Sequence, residues 1–245
     1  ASSRLRNTCY GEITFMITLT DADFLRIVEY IKTHYGINLE KKRILVEGRL
    51  VNTVTSKGFT SFRAYLDTIL TGESSPELEQ FVNKLTTNHT FFLREPEHFD
   101  FMKSTVLPYI ERTVTDKDAR IWCAASSTGQ EPYTMAMTID EYFGSRRQGW
   151  DLKILATDIS TKVLAEAYAG IYTAEMMEGV PREWMDKYFI RMDDGKFRVC
   201  DRIRKEIVYK QFNLMNEIRY KKPYDLISCR NVMIYFDTET KNNLI

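Results

Sequence analysis

Trp122-Cys-Ala-Ala-Ser-Ser-Thr-Gly-Gln-Glu-Pro-Tyr133 is the stretch on which the fold turns. Residues 119–125 are apolar enough to form a parallel strand covered on both faces. Ser126, Ser127, Thr128 and Gly129 are small, so the backbone there can approach a ligand closely. Pro132 suits the first turn of a following helix. That helix places Ala136, Ile139 and Phe143 at core spacing. About one strand later, Ile154-Leu-Ala-Thr-Asp158 ends in a carboxylate. Doubly wound folds hold an adenosine in this way, with a small-residue turn under the first strand and an acid at the tip of the second for the ribose hydroxyls. The turn carries a single glycine, so it departs from G-x-G-x-x-G and suits a dinucleotide pyrophosphate poorly.

With 245 residues the chain can hold one large domain or a large and a small one. Lysine plus arginine balance aspartate plus glutamate at 34 each, so no global field draws nucleic acid or an anionic membrane, and neither is an expected partner. Cys9, Cys123, Cys200 and Cys229 form no C-x-x-C pair and read as reduced thiols of a cytoplasmic protein. His34, His89 and His98 are too scattered for a local metal site, and no metal is expected. No run of about 18 apolar residues is present to cross a bilayer. Residues 1–18 read as an extension or disordered lead.

Residues 19–87 are helical in pattern. Thr20 and Asp23 resemble a capping box, and Phe24, Ile27, Val28 and Ile31 follow at core spacing until Gly36. A patchier amphipathic segment covers 39–54. Phe62, Tyr65, Leu66, Ile69 and Leu70 mark a third helix, and Pro76 opens a fourth with Leu78, Phe81, Val82 and Leu85. Residues 88–118 form a linking segment and helix. From 119 the period alternates between strand and helix, which predicts an α/β, doubly wound (Rossmann-like) sheet over 119–245. Short strands at 188–192 and 196–199 around the turn Asp193-Asp-Gly195 predict a small antiparallel β insert, about 188–206, before the chain returns to the main sheet over 207–212. Residues 224–229 make a fourth parallel strand. Such a strand at a sheet's edge is exposed, so further C-terminal strands are expected to belong to this domain.

Three segments narrow the reading: Thr86-Thr-Asn-His-Thr-Phe-Phe-Leu-Arg-Glu95, the Thr-Gly-Gln-Glu-Pro-Tyr turn, and Cys229-Arg-Asn-Val-Met-Ile-Tyr-Phe236. In that order, behind a helical domain, the chain resembles the chemotaxis receptor glutamate methyltransferases, the CheR family. The resemblance implies an enzyme that uses S-adenosyl-L-methionine, releases S-adenosyl-L-homocysteine, and esterifies glutamate side chains on the cytoplasmic helical bundle of chemoreceptors. It implies that Asn88, Thr90 and Arg94 reach the cofactor from the linking segment, and that Glu131 meets its methionine part. Asp158 would hold the ribose, Asn213 and Leu214 would flank the adenine, and Arg230 with Asn231 would line the pocket. Tyr235 would lie near the reacting methyl, sharing with Arg94 the catalytic assignment. Gln130 stands where the family usually has a second acid.

The chemistry implied needs no general base, because a glutamate with pKa about 4.3 is already ionised near pH 7. Positioning is the requirement, and the guanidinium fork of Arg94 suits a carboxylate. Each residue also has a structural alternative. Asp158 could cap the helix beginning near Ser160, and Asn88 could cap the fourth helix. Arg94 could pair with Glu95 or Glu97, Glu131 could complement a helix dipole, and Tyr235 could be a packed aromatic. Lys41, Lys42, Arg43 and Arg49 form either a solvated face or a receptor contact. Two competing functions stay open: a small-molecule methyltransferase, and a non-catalytic cofactor-binding scaffold of the same fold.

Overall fold

The computed structural model describes residues 17–218 and 220–244; Cys9 and most of the expected lead at 1–18 lie outside the described residues. Helices α1 (Asp21–Tyr35), α2 (Arg43–Ser56), α3 (Phe62–Ile69) and α4 (Pro76–Leu85) open the chain. Their starts follow side-chain chemistry. Thr20, Ser61 and Ser75 each accept the backbone N–H of the residue three positions on, satisfying a donor that the first helical turn leaves orphaned. The expected capping box closes differently: the Asp23 carboxylate accepts the Thr20 hydroxyl at 2.7 Å. The segment expected over 39–54 becomes helical only at Arg43. Phe24, Ile27, Ile31, Val46, Leu50, Phe62, Tyr65, Leu66, Phe81 and Leu85 are among the buried side chains of this first core.

Next come α5 (Pro96–Phe101) and α6 (Leu107–Thr113), joined by a π-helical turn at Met102–Val106. Pro108 explains the turn: it has no N–H for the carbonyl four residues earlier, and its ring crowds that carbonyl. Then follow β1 (Ile121–Ala124), α7 (Gln130–Phe143), β2 (Ile154–Asp158), α8 (Thr161–Ala169), β3 (Ile171–Tyr172), α9 (Arg182–Tyr188), β4 (Phe189–Arg191), β5 (Phe197–Val199), α10 (Asp201–Arg204), β6 (Ile207–Gln211), β7 (Leu226–Cys229) and α11 (Thr238–Leu244). Strand β1 is shorter than the expected 119–125, because Ala125 leaves it with a positive φ of 57°.

The main sheet has the order β6-β2-β1-β7, and every pair in it is parallel. Parallel partners share a face, so the carboxyl ends of all four strands meet along one rim. Strand β7 forms one edge of that sheet, with Ile227 half-exposed. The small antiparallel sheet has three strands, β3-β5-β4, where the hairpin pattern predicts two. Its extra strand is the two-residue β3, too short to carry a periodicity. A second core, including Phe92, Ile121, Cys123, Tyr133, Ile139, Ile154, Tyr172 and Val199, joins this sheet to the main one through α7. Among the described residues no helix is long and apolar enough to cross a membrane.

Candidate functional site

A cavity of about 360 Å³ opens at the carboxyl rim of the main sheet, between it and residues of α1, α2, α4 and the turn after α1. Asn88, Thr90, Arg94, Glu131, Asp158, Asn213, Leu214, Arg230, Asn231 and Tyr235 all line it. Chain segments far apart in sequence therefore deliver the expected residues to one place.

The turn after β1 is the floor. Ala125 and Ser127 both take positive φ, at 57° and 50°, which costs a non-glycine residue on the order of 1 to 3 kcal/mol. The strained turn is tied down on both sides. Ser126 donates its N–H to the Thr157 carbonyl at 2.8 Å, and the Ser127 hydroxyl donates to the Asn88 carbonyl at 3.0 Å. Only part of the small-residue run faces the cavity. Ala125, Ser126 and Ser127 line it, whereas Thr128 and Gly129 do not. A Cβ on Gly129 would stand 2.8 Å from the Ala167 Cβ and 3.0 Å from the Tyr172 hydroxyl, so this glycine serves close packing of the turn on α8 and β3. It does not serve approach to a ligand, as the sequence had led us to expect. Gln130 is fully buried, its amide oxygen accepts from Thr128, and it does not line the cavity.

Asp158 holds the turn from the tip of β2. Its Oδ2 accepts the Ser127 N–H and its Oδ1 the Ser160 N–H, each at 2.9 Å. The helix cap is Ser160, which accepts from Val163, so Asp158 is not the capping residue. Burial pushes the Asp158 carboxyl above its ordinary range, against the pull of those backbone donors. The group lines the cavity while being only 7% exposed.

The opposite wall is a charge network. Glu131 accepts the Ser228 hydroxyl at 2.6 Å and lies 3.4 Å from the Arg230 guanidinium. Arg230 also donates to the Arg94 carbonyl and, at 3.2 Å, to Glu95, and its guanidinium sits over the Phe99 ring. Asn231, with φ 56°, donates to Glu95 at 3.1 Å. Burial, reinforced by Glu131, holds the Cys123 thiol well up and protonated.

Glu95 is the residue that sequence reasoning missed, having weighed it only as a surface partner of Arg94. Its backbone is left-handed, and Asn231 first, then Arg230, hold its carboxyl below the ordinary range. It clamps the linking segment to the end of β7. Arg94 itself donates to the His89 carbonyl at 2.8 Å, which braces the loop it stands on, while Glu95 lies 3.8 Å away. The Asn88 amide reaches the Thr86 hydroxyl only at 3.4 Å. Arg49 instead caps α4, donating to the Leu85 and Thr86 carbonyls. Arg43 binds Asp21, which leaves Lys41 and Lys42 as the exposed cations of that group, with Lys42 at the cavity's edge.

The donor set fits a cofactor that carries a ribose diol and an amino-acid end. Asp158 is a buried acceptor for hydroxyls and Glu131 an anion for an ammonium group, while Tyr35, Ile37, Phe212 and Leu214 add apolar surface. The buried Ser126 hydroxyl has no hydrogen-bond partner, and a cavity-lining orphan of this kind is suited to a polar ligand.

Comparison with known proteins agrees. Residues 22–86 match the all-alpha domain of the CheR methyltransferases, and residues 88–245 match their SAM-binding domain. A chemotaxis protein methyltransferase of Borreliella burgdorferi is 40% identical over 243 residues, spanning 97% of this chain and 86% of its own length. One from Escherichia coli is 36% identical across 96% of this chain and 81% of its own length. Another, from Vibrio cholerae, is 34% identical across 94% and 80%.

Proposed function

The chain belongs to the CheR methyltransferase family and is an S-adenosylmethionine-dependent methyltransferase of chemotaxis; from that premise we propose that it forms methyl esters on glutamate side chains in the cytoplasmic helical bundle of chemoreceptors. The observation that carries the reading is the convergence of Arg94 and Tyr235 with Asp158 and Glu131 on one cavity. A fixed cation and a phenol are what an anionic oxygen nucleophile needs for orientation.

When bound, S-adenosylmethionine supplies a methyl group already activated on a sulfonium. Asp158 accepts the ribose hydroxyls, Glu131 meets the ammonium end, and Asn213 and Leu214 flank the base. Asn88, Thr90, Arg230 and Asn231 complete the walls. Arg94 orients the acceptor carboxylate and Tyr235 hydrogen-bonds to it. The acceptor is ionised near neutral pH, so no residue need remove a proton. The grip must also be moderate. Stabilising the carboxylate more than the transition state, where its charge is partly lost, would slow the step.

The enzyme works in the cytoplasm, where such bundles are exposed. The test mixes labelled S-adenosylmethionine with a receptor cytoplasmic fragment and assays methanol released by alkali. Glutamyl esters release it; N-methyl or ether products do not, and their appearance would remove the proposal.

A further inference from the structure

The main chain around Tyr235 is gripped from the first helical domain. Helix α1 ends at Gly36, whose φ is 69°. A Cβ there would stand 2.6 Å from the Met215 Sδ, 3.0 Å from the Thr240 Cγ2 and 3.3 Å from the Phe236 ring. Only a bare backbone lets the end of α1 press so closely on that segment. Immediately afterwards Ile37 forms an isolated antiparallel bridge with Phe236, and the Asn38 N–H donates to the Tyr235 carbonyl at 2.9 Å. Asn213 donates its amide to the His34 carbonyl at 2.8 Å, and Lys32 lies 3.3 Å from Asp237. Both sides of the cavity wall that carry Asn213 and Tyr235 are therefore fastened to a single helix end. Gly36 itself does not line the cavity.

We propose that the turn at residues 34–38 is a latch that sets Tyr235 relative to Arg94, with Gly36 as the positioning residue on which the latch depends. A helix end built into another domain can fix the backbone of a catalytic turn without touching substrate. The inference rests on the reading of Tyr235 as a reacting-site residue.

A double-mutant cycle on the full chain tests it: Gly36→Ala, Tyr235→Phe and both together, in single-turnover methyl transfer at saturating cofactor. If Gly36 acts through Tyr235, each single change slows the step about tenfold, and the double variant is no slower than the worse single by more than about twofold. A roughly hundredfold multiplicative loss in the double variant means a general structural effect, and overturns the inference while leaving Tyr235's role intact. An unchanged rate for Tyr235→Phe removes that role and the latch with it. Should Gly36→Ala fail to fold, Asn38→Pro deletes the N–H that the Tyr235 carbonyl accepts and enters the same cycle with the same expectation. Met215→Ala, which removes the nearest obstacle, should restore part of the Gly36→Ala rate. Wild-type rates in both latch variants would also overturn the proposal.

Discussion

Replacing Asp158 by Ala should damage the cofactor site and the free protein by separable amounts. The carboxylate is to accept the ribose hydroxyls, and hydrogen bonds to a charged group contribute about 1.5 to 3 kcal/mol each. Water can enter the space that Ala leaves, so the smaller figure counted once is the safer floor, about tenfold in affinity, with about a hundredfold if both bonds are lost fully. The same change strips the acceptor from the Ser127 and Ser160 N–H groups, both held at 2.9 Å. At about 1 kcal/mol or more for each orphaned donor, the ligand-free protein should melt roughly 4 to 8 °C lower. Asp158→Asn keeps the volume and removes the charge, which isolates the pH dependence of affinity, although its single acceptor oxygen can serve only one of the two N–H groups. Burial raises the Asp158 carboxyl, while hydroxyl donors favour its ionised form. Affinity should therefore rise with pH through that raised value and then level, and the Asn variant should lack the slope. Stability of the free protein runs the other way. A carboxyl with a raised folded pKa contributes most below its unfolded value of about 3.9 and loses that contribution as pH climbs through the folded value. Calorimetry with S-adenosylhomocysteine and a thermal melt read both quantities. Unchanged affinity in the Ala variant, or a retained pH slope in the Asn variant, would refute the assignment.

Gly129→Ala places a Cβ 3.0 Å from the Ala167 Cα, an atom that cannot step aside, so denaturant unfolding should show a loss of about 2 to 4 kcal/mol. Glu95→Gln should lower turnover about tenfold while thermal stability near neutral pH moves little, since half-exposed ion pairs contribute about 1 kcal/mol or less; steady-state kinetics beside a melt decide it. Because the Glu95 carboxyl is lowered, its contribution is present above the unfolded pKa and lost as pH falls through the folded one, so the small stability gap between wild type and the Gln variant near neutral pH should close in an acid titration. Arg94→Lys keeps the charge and loses the planar fork that now braces His89, so turnover should fall roughly 10 to 100-fold with a smaller change in cofactor affinity. The single-turnover rate should stay flat from about pH 6 to 8, and a bell centred near pH 7 would instead point to a histidine base.

The strand, turn and helix from Trp122 to Phe143 were legible because each depends on local signals: an apolar run, small residues, and a helical period. Asp158 was legible for the same reason, standing at the end of a short apolar strand. What the turn faces was not. Thr128 and Gly129 turn inward because Ala167 and Tyr172 pack against them, and those partners lie more than thirty residues away along the chain. Strand β3 escaped notice because two residues carry no alternation. Arg49 looked like a solvated cation, yet the carbonyl ends of α4 claim it, and nothing in the α2 pattern marks that pairing. Glu95 and Gly36 share this difficulty. Their importance lies in contacts with residues 213–240, so the sequence displays only an acid after an arginine and a glycine after a helix.

The position of the transferred methyl group decides whether glutamate is the acceptor. Tandem mass spectrometry of a receptor cytoplasmic fragment, after incubation with the wild-type chain and S-adenosylmethionine, locates it. Methyl on glutamate side-chain oxygens, removed by mild alkali and abolished when those glutamates are replaced by alanine, is the predicted result. Methyl on nitrogen or sulfur, or incorporation that survives alkali, would contradict the account.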